Sequence, residues 1–127
     1  MSEIRTLIVD DSSVMRKIVE RALRQAGLDP LVVHEAANGN EGLEVLKAKT
    51  VDLILSDINM PSMDGLEFLR QIQSQNLAPG VPVVMITTES SEEHVKQAIQ
   101  AGARGYIRKP FTAEQVKERV LPLVHAA

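Results

Sequence analysis

The stretch Leu7-Ile8-Val9-Asp10-Asp11-Ser12 joins a short apolar run to two adjacent carboxylates. Three further apolar runs end near a polar side chain in the same way: residues 51–55 before Asp57, residues 83–86 before Thr87 and residues 105–107 before Lys109. In a parallel sheet the carboxyl ends of the strands share one edge, and open α/β sheets bind their ligands there. If these runs are parallel strands, we expect three carboxylates, a hydroxyl and an ammonium in one crevice.

Strand-like and helix-like segments alternate five times along the chain, which is the pattern of an α/β fold. The strands are predicted at residues 6–9, 31–35, 51–55, 83–86 and 105–107. The third run is apolar throughout, as is typical of a strand that is buried on both faces. Because right-handed crossovers place helices on both sides of such a sheet, we predict a doubly wound, five-stranded parallel sheet.

Each predicted helix carries an apolar face toward the sheet. The first helix is predicted over residues 13–26, with Gly27 as its C-terminal stop. Capping boxes are expected at the last two helices, from Ser90 with Glu93 and from Thr112 with Gln115. The side chains expected to face the sheet are Val14, Ile18, Val19, Ala22, Leu23 and Ala26, then Leu43 and Leu46, then Leu66, Leu69 and Ile72, then Val95, Ala98 and Ile99, and finally Val116, Val120, Leu123 and Val124.

Length and composition limit the class of protein. The 127 residues are enough for one domain with its own core, and no apolar run approaches the ~18 residues of a membrane span. Cysteine is absent, which suits a reducing compartment, so we expect a soluble, cytoplasmic protein. The net charge of −3 equals the charge of the three aspartates at the predicted crevice. No basic face is visible, which counts against a nucleic-acid partner.

Three carboxylates in one crevice repel one another unless a cation neutralises them. Mg²⁺ suits such a site, because it takes octahedral oxygen ligands and is usually held by one or two carboxylates together with a phosphate. Each residue alone has an ordinary structural explanation: the Asp-Asp-Ser cluster starts a helix, Thr87 favours a strand and Lys109-Pro110 forms a turn. Their joint placement at four strand ends favours a site for a divalent cation and a phosphoryl group.

The stretches that carry this chemistry resemble the receiver domain of two-component response regulators, especially the stand-alone, CheY-like chemotaxis regulators. The matching residues are Leu7-Ile8-Val9-Asp10-Asp11-Ser12, Asp57-Ile58-Asn59-Met60-Pro61-Ser62-Met63-Asp64-Gly65, Thr87 and Lys109-Pro110-Phe111. The resemblance covers essentially the whole chain and implies a flavodoxin-like fold with the strand order 2-1-3-4-5. It also implies one receiver domain over residues 1–127, without an output domain.

The resemblance assigns a role to each residue of the acidic site. Asp57 would be the phosphoacceptor, since carboxylates form aspartyl-phosphates. Mg²⁺ would be held directly by Asp11, by Asp57 and by the backbone carbonyl of Asn59, and through water by Asp10. Lys109 would pair with the phosphoryl group, and its bond to Pro110 would be cis.

The remaining assignments concern the response to phosphorylation. Thr87 would donate its hydroxyl to a phosphoryl oxygen, and Tyr106, the switch aromatic, would turn inward as Thr87 moves. Asn59 and Glu89 would tune the attack of water on the acyl phosphate. The sequence departs from the family pattern at Thr88, where a smaller residue is usual, and this change is expected to narrow access to the site.

We expect a two-component response regulator that takes a phosphoryl group from a sensor histidine kinase and then binds a protein target in chemotaxis or motility signalling. The flagellar motor switch is one such target, a phosphatase is a further expected partner, and the protein is expected to act as a monomer. It is not expected to be a turnover enzyme. The predicted output surface runs from the fourth helix to the fifth, with contacts from Gln97, Arg104, Tyr106, Arg108 and Lys117.

Two alternatives stay open beside this interpretation, and two others are disfavoured. The chain could be a phosphorelay shuttle, or a receiver excised from a longer regulator. An unphosphorylated interaction module would have no use for the full acidic set. A phosphatase of the haloacid dehalogenase type is disfavoured, because that class needs a second Asp two residues after the nucleophile and Asn59 stands there.

Overall fold

The computed structural model describes residues 3–60, 62–88 and 92–124 as five strands and five helices in strict alternation. The elements are β1 (Ile4–Val9), α1 (Ser13–Gln25), β2 (Leu31–Ala36), α2 (Gly39–Ala48), β3 (Leu53–Asp57), α3 (Gly65–Ser74), β4 (Val83–Thr87), α4 (Glu92–Gln100), β5 (Gly105–Arg108) and α5 (Ala113–Val124).

The five strands form one parallel sheet in the order β2-β1-β3-β4-β5, which confirms the predicted order. The core lies in two layers. On one face, α1 and α5 pack with Val19, Leu23, Val116 and Val120 against the sheet. On the other face, the core draws its side chains from α2, α3 and α4. The fold is therefore doubly wound, as predicted.

The central strand β3 runs two residues later than the predicted 51–55. All five of its residues are buried, and Asp57 itself is its last residue, paired with Ile86 of β4. Val51 is buried but lies before the strand, because the next residue, Asp52, holds Arg5 with its carboxylate. The strand pairing therefore places Asp57 at the carboxyl end of the central strand.

Helix α1 starts at the N-cap Ser12, whose hydroxyl accepts from the backbone N–H of Met15, and the chain leaves it through Gly27 with a φ of 101°. The expectation that Val14 and Ile18 face the sheet is wrong, because they are 69% and 46% exposed. The buried stripe of α1 is narrow, and these two residues lie one turn apart beside it.

A similar correction applies to α4, where Ala98 is buried and Ile99 is exposed. In α5 the predicted capping box is confirmed: the backbone N–H of Thr112 donates to Gln115, and that of Gln115 donates to the Thr112 hydroxyl, at 2.9 and 3.1 Å. The expected cap at Ser90 lies outside the described residues. Among the helices of the described ranges, none has the length and apolar character needed to cross a membrane.

Candidate functional site

The predicted site residues lie at the carboxyl edge of the sheet, because the ladder continues one residue past two of its strands. Asp10 follows β1, and its backbone N–H donates to Ala36 at 3.1 Å. Lys109 follows β5, and its backbone N–H donates to the carbonyl of Thr87 at 2.8 Å. Asp57 and Thr87 end the two strands between them. The backbone hydrogen bonds of the sheet thus fix the positions of all four residues.

Three carboxylates converge at this edge. One oxygen from each of Asp10, Asp11 and Asp57 lies within 4.8 Å of the others. Asp10 and Asp57 are buried, with 3% and 8% of their surface exposed, whereas Asp11 faces solvent. This cluster confirms the predicted convergence, and its open side at Asp11 leaves a path from solvent to the buried pair.

Lys109 is the cation of the cluster. Its Nζ lies 3.1 Å from Oδ2 of Asp10 and 3.5 Å from Oδ2 of Asp57, and its side chain is largely buried. One ammonium balances one of three carboxylates, so the ionised cluster keeps a net charge of about −2. All the converging donors are carboxylate oxygens, which are the ligands that Mg²⁺ prefers. The residues present therefore fit a hard divalent cation.

Burial raises the pKa of the Asp57 carboxyl, because the charged form loses hydration. The nearby Lys109 ammonium opposes this effect, while the Asp10 charge adds to it. The backbone N–H groups of Asn59 and Ile58 donate to the carboxylate and also act to lower its pKa, but the net shift remains upward. Asp57 is therefore a carboxylate in an unfavourable environment, close to a compensating cation.

Two residues that sequence reasoning did not place at the site support it from outside. Arg16 donates from Nη1 to the backbone carbonyl of Asp10 at 2.5 Å and from Nε to Glu35 at 2.8 Å. Gly65 belongs to a stretch that resembles the family but received no role from the sequence, yet a Cβ at this residue would lie 2.2 Å from the carbonyl oxygen of Asp57. The spacing from Asp10 to Arg16 belongs to no motif, so only the folded chain reveals that contact.

The predicted switch residues occupy adjacent strands. Thr87 is fully buried at the end of β4, and Tyr106 is half-buried on β5, where it pairs with Met85. The guanidinium of Arg119 lies 6.0 Å from the centre of the Tyr106 ring. Thr88 is exposed. These positions bring the hydroxyl and the aromatic to one side of the acidic cluster.

The other predicted residues surround this core of the site. Asn59 is exposed, and its backbone N–H contacts Asp57, whereas Glu89 lies outside the described residues. The peptide bond from Lys109 to Pro110 is cis, as expected. Of the candidate output residues, three are exposed and two are partly buried; the exposed ones are Arg104, Arg108 and Lys117, and the others are Gln97 and Tyr106.

Known proteins match most of this chain. The family model described as "Response regulator receiver domain" matches residues 6–121. A curated relative, "Chemotaxis protein CheY-3" of Vibrio cholerae, is 42% identical over 92% of this chain and 88% of its own length. "Chemotaxis protein CheY" of Pseudomonas aeruginosa is 38% identical over 92% of this chain and 93% of its own length.

Among solved structures, the chemotaxis protein CheY4 of Vibrio cholerae superposes with a TM-score of 0.85 at 34% identity, covering 96% of this chain and 99% of that one. The family model spans both ends of the acidic site, since it begins before Asp10 and ends beyond Lys109. With its site residues at the edge of a sheet of matching fold, the chain belongs to the response regulator receiver domain family.

Proposed function

We propose that this protein is a two-component response regulator whose Asp57 accepts a phosphoryl group from a histidine kinase and thereby changes its affinity for a protein target. One observation carries the proposal: a buried carboxylate with a raised pKa lies 3.5 Å from Lys109 and beside two further carboxylates. A buried carboxylate beside a cation and other carboxylates is a candidate for a functional group.

In the proposed transfer, an oxygen of Asp57 forms a bond to phosphorus while the bond from phosphorus to the imidazole nitrogen of the donor histidine breaks. The electron pair leaves with the imidazole, which takes up a proton. Asp11, Asp57 and the backbone carbonyl of Asn59 would hold Mg²⁺ directly, and Asp10 through water. When bound, this cation supplies positive charge at the phosphoryl oxygens.

Lys109 would then exchange one partner for another. It contacts Asp10 and Asp57 before transfer, and phosphorylation converts the Asp57 carboxylate into an acyl phosphate whose oxygens can accept from the same ammonium. Thr87, at the end of the neighbouring strand, would donate a second hydrogen bond. Charge-assisted hydrogen bonds of about 1.5–3 kcal/mol each supply much of the ~5.5 kcal/mol needed to shift a two-state protein almost completely.

The output surface would be the face made by α4, β5 and α5. Movement of Thr87 toward the phosphoryl group leaves room for Tyr106 to turn inward, which changes the surface near Arg104 and Arg108. Relatives that carry the name of chemotaxis proteins support a role in chemotaxis or motility signalling. The protein would act on its partner by binding, rather than by turning over a substrate.

One observation favours a second candidate, the phosphorelay shuttle. Val14 and Ile18 expose an apolar strip on α1, whose N-terminus lies next to Asp11. A helical phosphotransfer partner could pack on this strip. With a phosphorylated sample and a target peptide, backbone amide shifts concentrated at residues 92–117 would support the regulator, and shifts concentrated on α1 would support the shuttle.

The phosphoacceptor is tested by intact-mass measurement after treatment with acetyl phosphate. We expect one added phosphoryl group in the presence of Mg²⁺ and none with a chelator. Asp57→Asn should take up none. Asp52→Asn is the matched control, because Asp52 also holds a cation and lies directly before the amino end of the same strand. A phosphoryl group that persists in Asp57→Asn would refute the assignment.

A further inference from the structure

Arg16 connects three parts of the fold next to the acidic site. It lies in the first turn of α1, its Nη1 donates to the backbone carbonyl of Asp10, and its Nε donates to Oε1 of Glu35 on the edge strand β2. The Arg16 side chain is only 15% exposed; its contact with the Asp10 carbonyl is partly buried, and its contact with Glu35 lies at the surface. None of the roles proposed above uses this residue.

The carbonyl that Arg16 holds belongs to the peptide group between Asp10 and Asp11. A peptide group is planar, so the direction of its carbonyl also sets the direction of the next N–H and constrains the following Cα. Arg16 therefore acts on the backbone that carries both carboxylates, through its hydrogen bond to the carbonyl of Asp10.

Glu35 anchors the other end of this contact. Hydrogen bonds from Arg16 and then from Lys17 lower the pKa of Glu35, so the carboxylate stays ionised and holds the guanidinium in place. Glu35 is itself fixed by the ladder, because it pairs with Ile8 of β1. The planar fork of an arginine can donate in two directions at once, which a lysine ammonium cannot do with the same geometry.

We propose that Arg16 is a positioning residue of the phosphorylation site, which orients the Asp10–Asp11 peptide against β2 and so presets the acidic cluster for its divalent cation. The inference rests on the proposed function, since it concerns the same cluster. Groups that orient metal ligands from outside commonly change metal affinity by about 10–100-fold when they are removed.

The test measures the dissociation constant of Mg²⁺ by calorimetry, without any phosphodonor. We expect Arg16→Gln to weaken Mg²⁺ binding about tenfold. Lys17→Gln is the matched control, because Lys17 lies 3.0 Å from the same Glu35 carboxylate and has the same charge, but Arg16 is the residue that contacts the Asp10 carbonyl. This control should bind within about twofold of the unmodified protein, as expected for an exposed charge.

Two further variants keep the proposal testable if Arg16→Gln folds poorly. Arg16→Lys keeps the charge but loses the fork, and should bind Mg²⁺ more weakly than Lys17→Gln does. Glu35→Gln loosens the anchor and should give a smaller loss in the same direction. Urea denaturation of each variant separates metal affinity from stability.

Equal Mg²⁺ affinity in Lys17→Gln and in every folded variant of Arg16 would overturn the positioning role and leave the proposed function intact. Failure of the unmodified protein to bind Mg²⁺ would instead overturn the proposed function, together with this inference.

Discussion

Asp52 lies directly before β3 and Asp57 is its last residue, and each is beside a cation, yet the pKa values of their carboxyls shift in opposite directions. At the amino end, Arg5 holds Asp52 through its side chain at 3.1 and 3.2 Å and through its backbone N–H at 2.9 Å. These bonds lower the pKa of Asp52. At the carboxyl end, burial raises the pKa of Asp57 although Lys109 is near.

The difference shows that a nearby cation does not by itself decide what a carboxylate does. The Arg5 and Asp52 side chains are 43% and 38% exposed, so water still hydrates both charges. This ion pair, called the clasp below, links β1 to the residue that precedes β3. Asp57 is buried among other carboxylates, so the hydration that its charged form loses is only partly compensated. The ion pair near one end of the strand is hydrated, whereas the carboxylate at the other end is buried and is the proposed phosphoacceptor.

The largest effect on the Asp57 end of β3 is expected from a substitution at Gly65. A side chain there would press on the backbone of Asp57 and on Met85. We expect Gly65→Ala to lower the free energy of unfolding by about 3 kcal/mol, as for an overpacked core, and to slow phosphorylation. Urea denaturation measures the first effect and intact mass the second.

Gly105→Ala is the control, because a Cβ there would have no atom within 4 Å. If Gly65→Ala is as stable as this control and is phosphorylated at the normal rate, the close approach has no importance for the site.

The carboxylates near the two ends of β3, Asp52 on one side and the cluster of Asp57 with Asp11 on the other, should also differ in their response to the metal. A ligand at about 100 times its dissociation constant stabilises the folded state by ~2.7 kcal/mol. We expect this gain from Mg²⁺ in the unmodified protein and in Asp52→Asn, but not in Asp11→Ala. Thermal unfolding with and without Mg²⁺ checks it, and a full gain in Asp11→Ala would remove Asp11 from the metal site.

Without metal, the two asparagine variants should change stability in opposite directions. At pH 7, Asp57→Asn removes the desolvated charge and should raise the free energy of unfolding, on the order of 1 kcal/mol. Asp52→Asn loses a half-exposed clasp and should lower it by about 0.5–1 kcal/mol. Denaturation in a chelating buffer measures both.

The pH dependence follows from the pKa directions. The gain in Asp57→Asn should be absent below the pKa of an unfolded aspartate, about 4, and grow as pH rises toward the raised pKa of the folded state. The clasp of Asp52 contributes above that same unfolded value and is lost as pH falls through the lowered pKa of its folded state. Changes of the same sign in both variants would contradict the contrast.

Two further predictions concern the fully buried hydroxyls of Thr6 and Thr87. Among the described residues, Oγ1 of Thr6 has no hydrogen-bond partner. Thr6→Val should therefore stabilise the protein by about 1 kcal/mol and leave signalling unchanged.

Thr87→Ala should still accept the phosphoryl group but give a reduced shift in target affinity. A full shift in Thr87→Ala would refute its switch role.

The sequence predicts the order of elements and the acidic edge well, because alternation of strand and helix forces the carboxyl ends together. It does not predict that Val14 and Ile18 are exposed, since helical periodicity locates an apolar face without giving its width. Nor does it reveal Arg16 or the steric role of Gly65. Those depend on contacts with Glu35, with the backbone of Asp57 and with Met85, which only the folded chain brings near.

The contact between Arg119 and the ring of Tyr106 has an optical consequence. Tyr106 is the single tyrosine of a chain without tryptophan, so the near-ultraviolet emission of this protein comes essentially from that ring. The residue proposed to move on phosphorylation is thus its own built-in fluorophore. Any event that lifts the ring away from the guanidinium changes the light that the molecule emits, without a label.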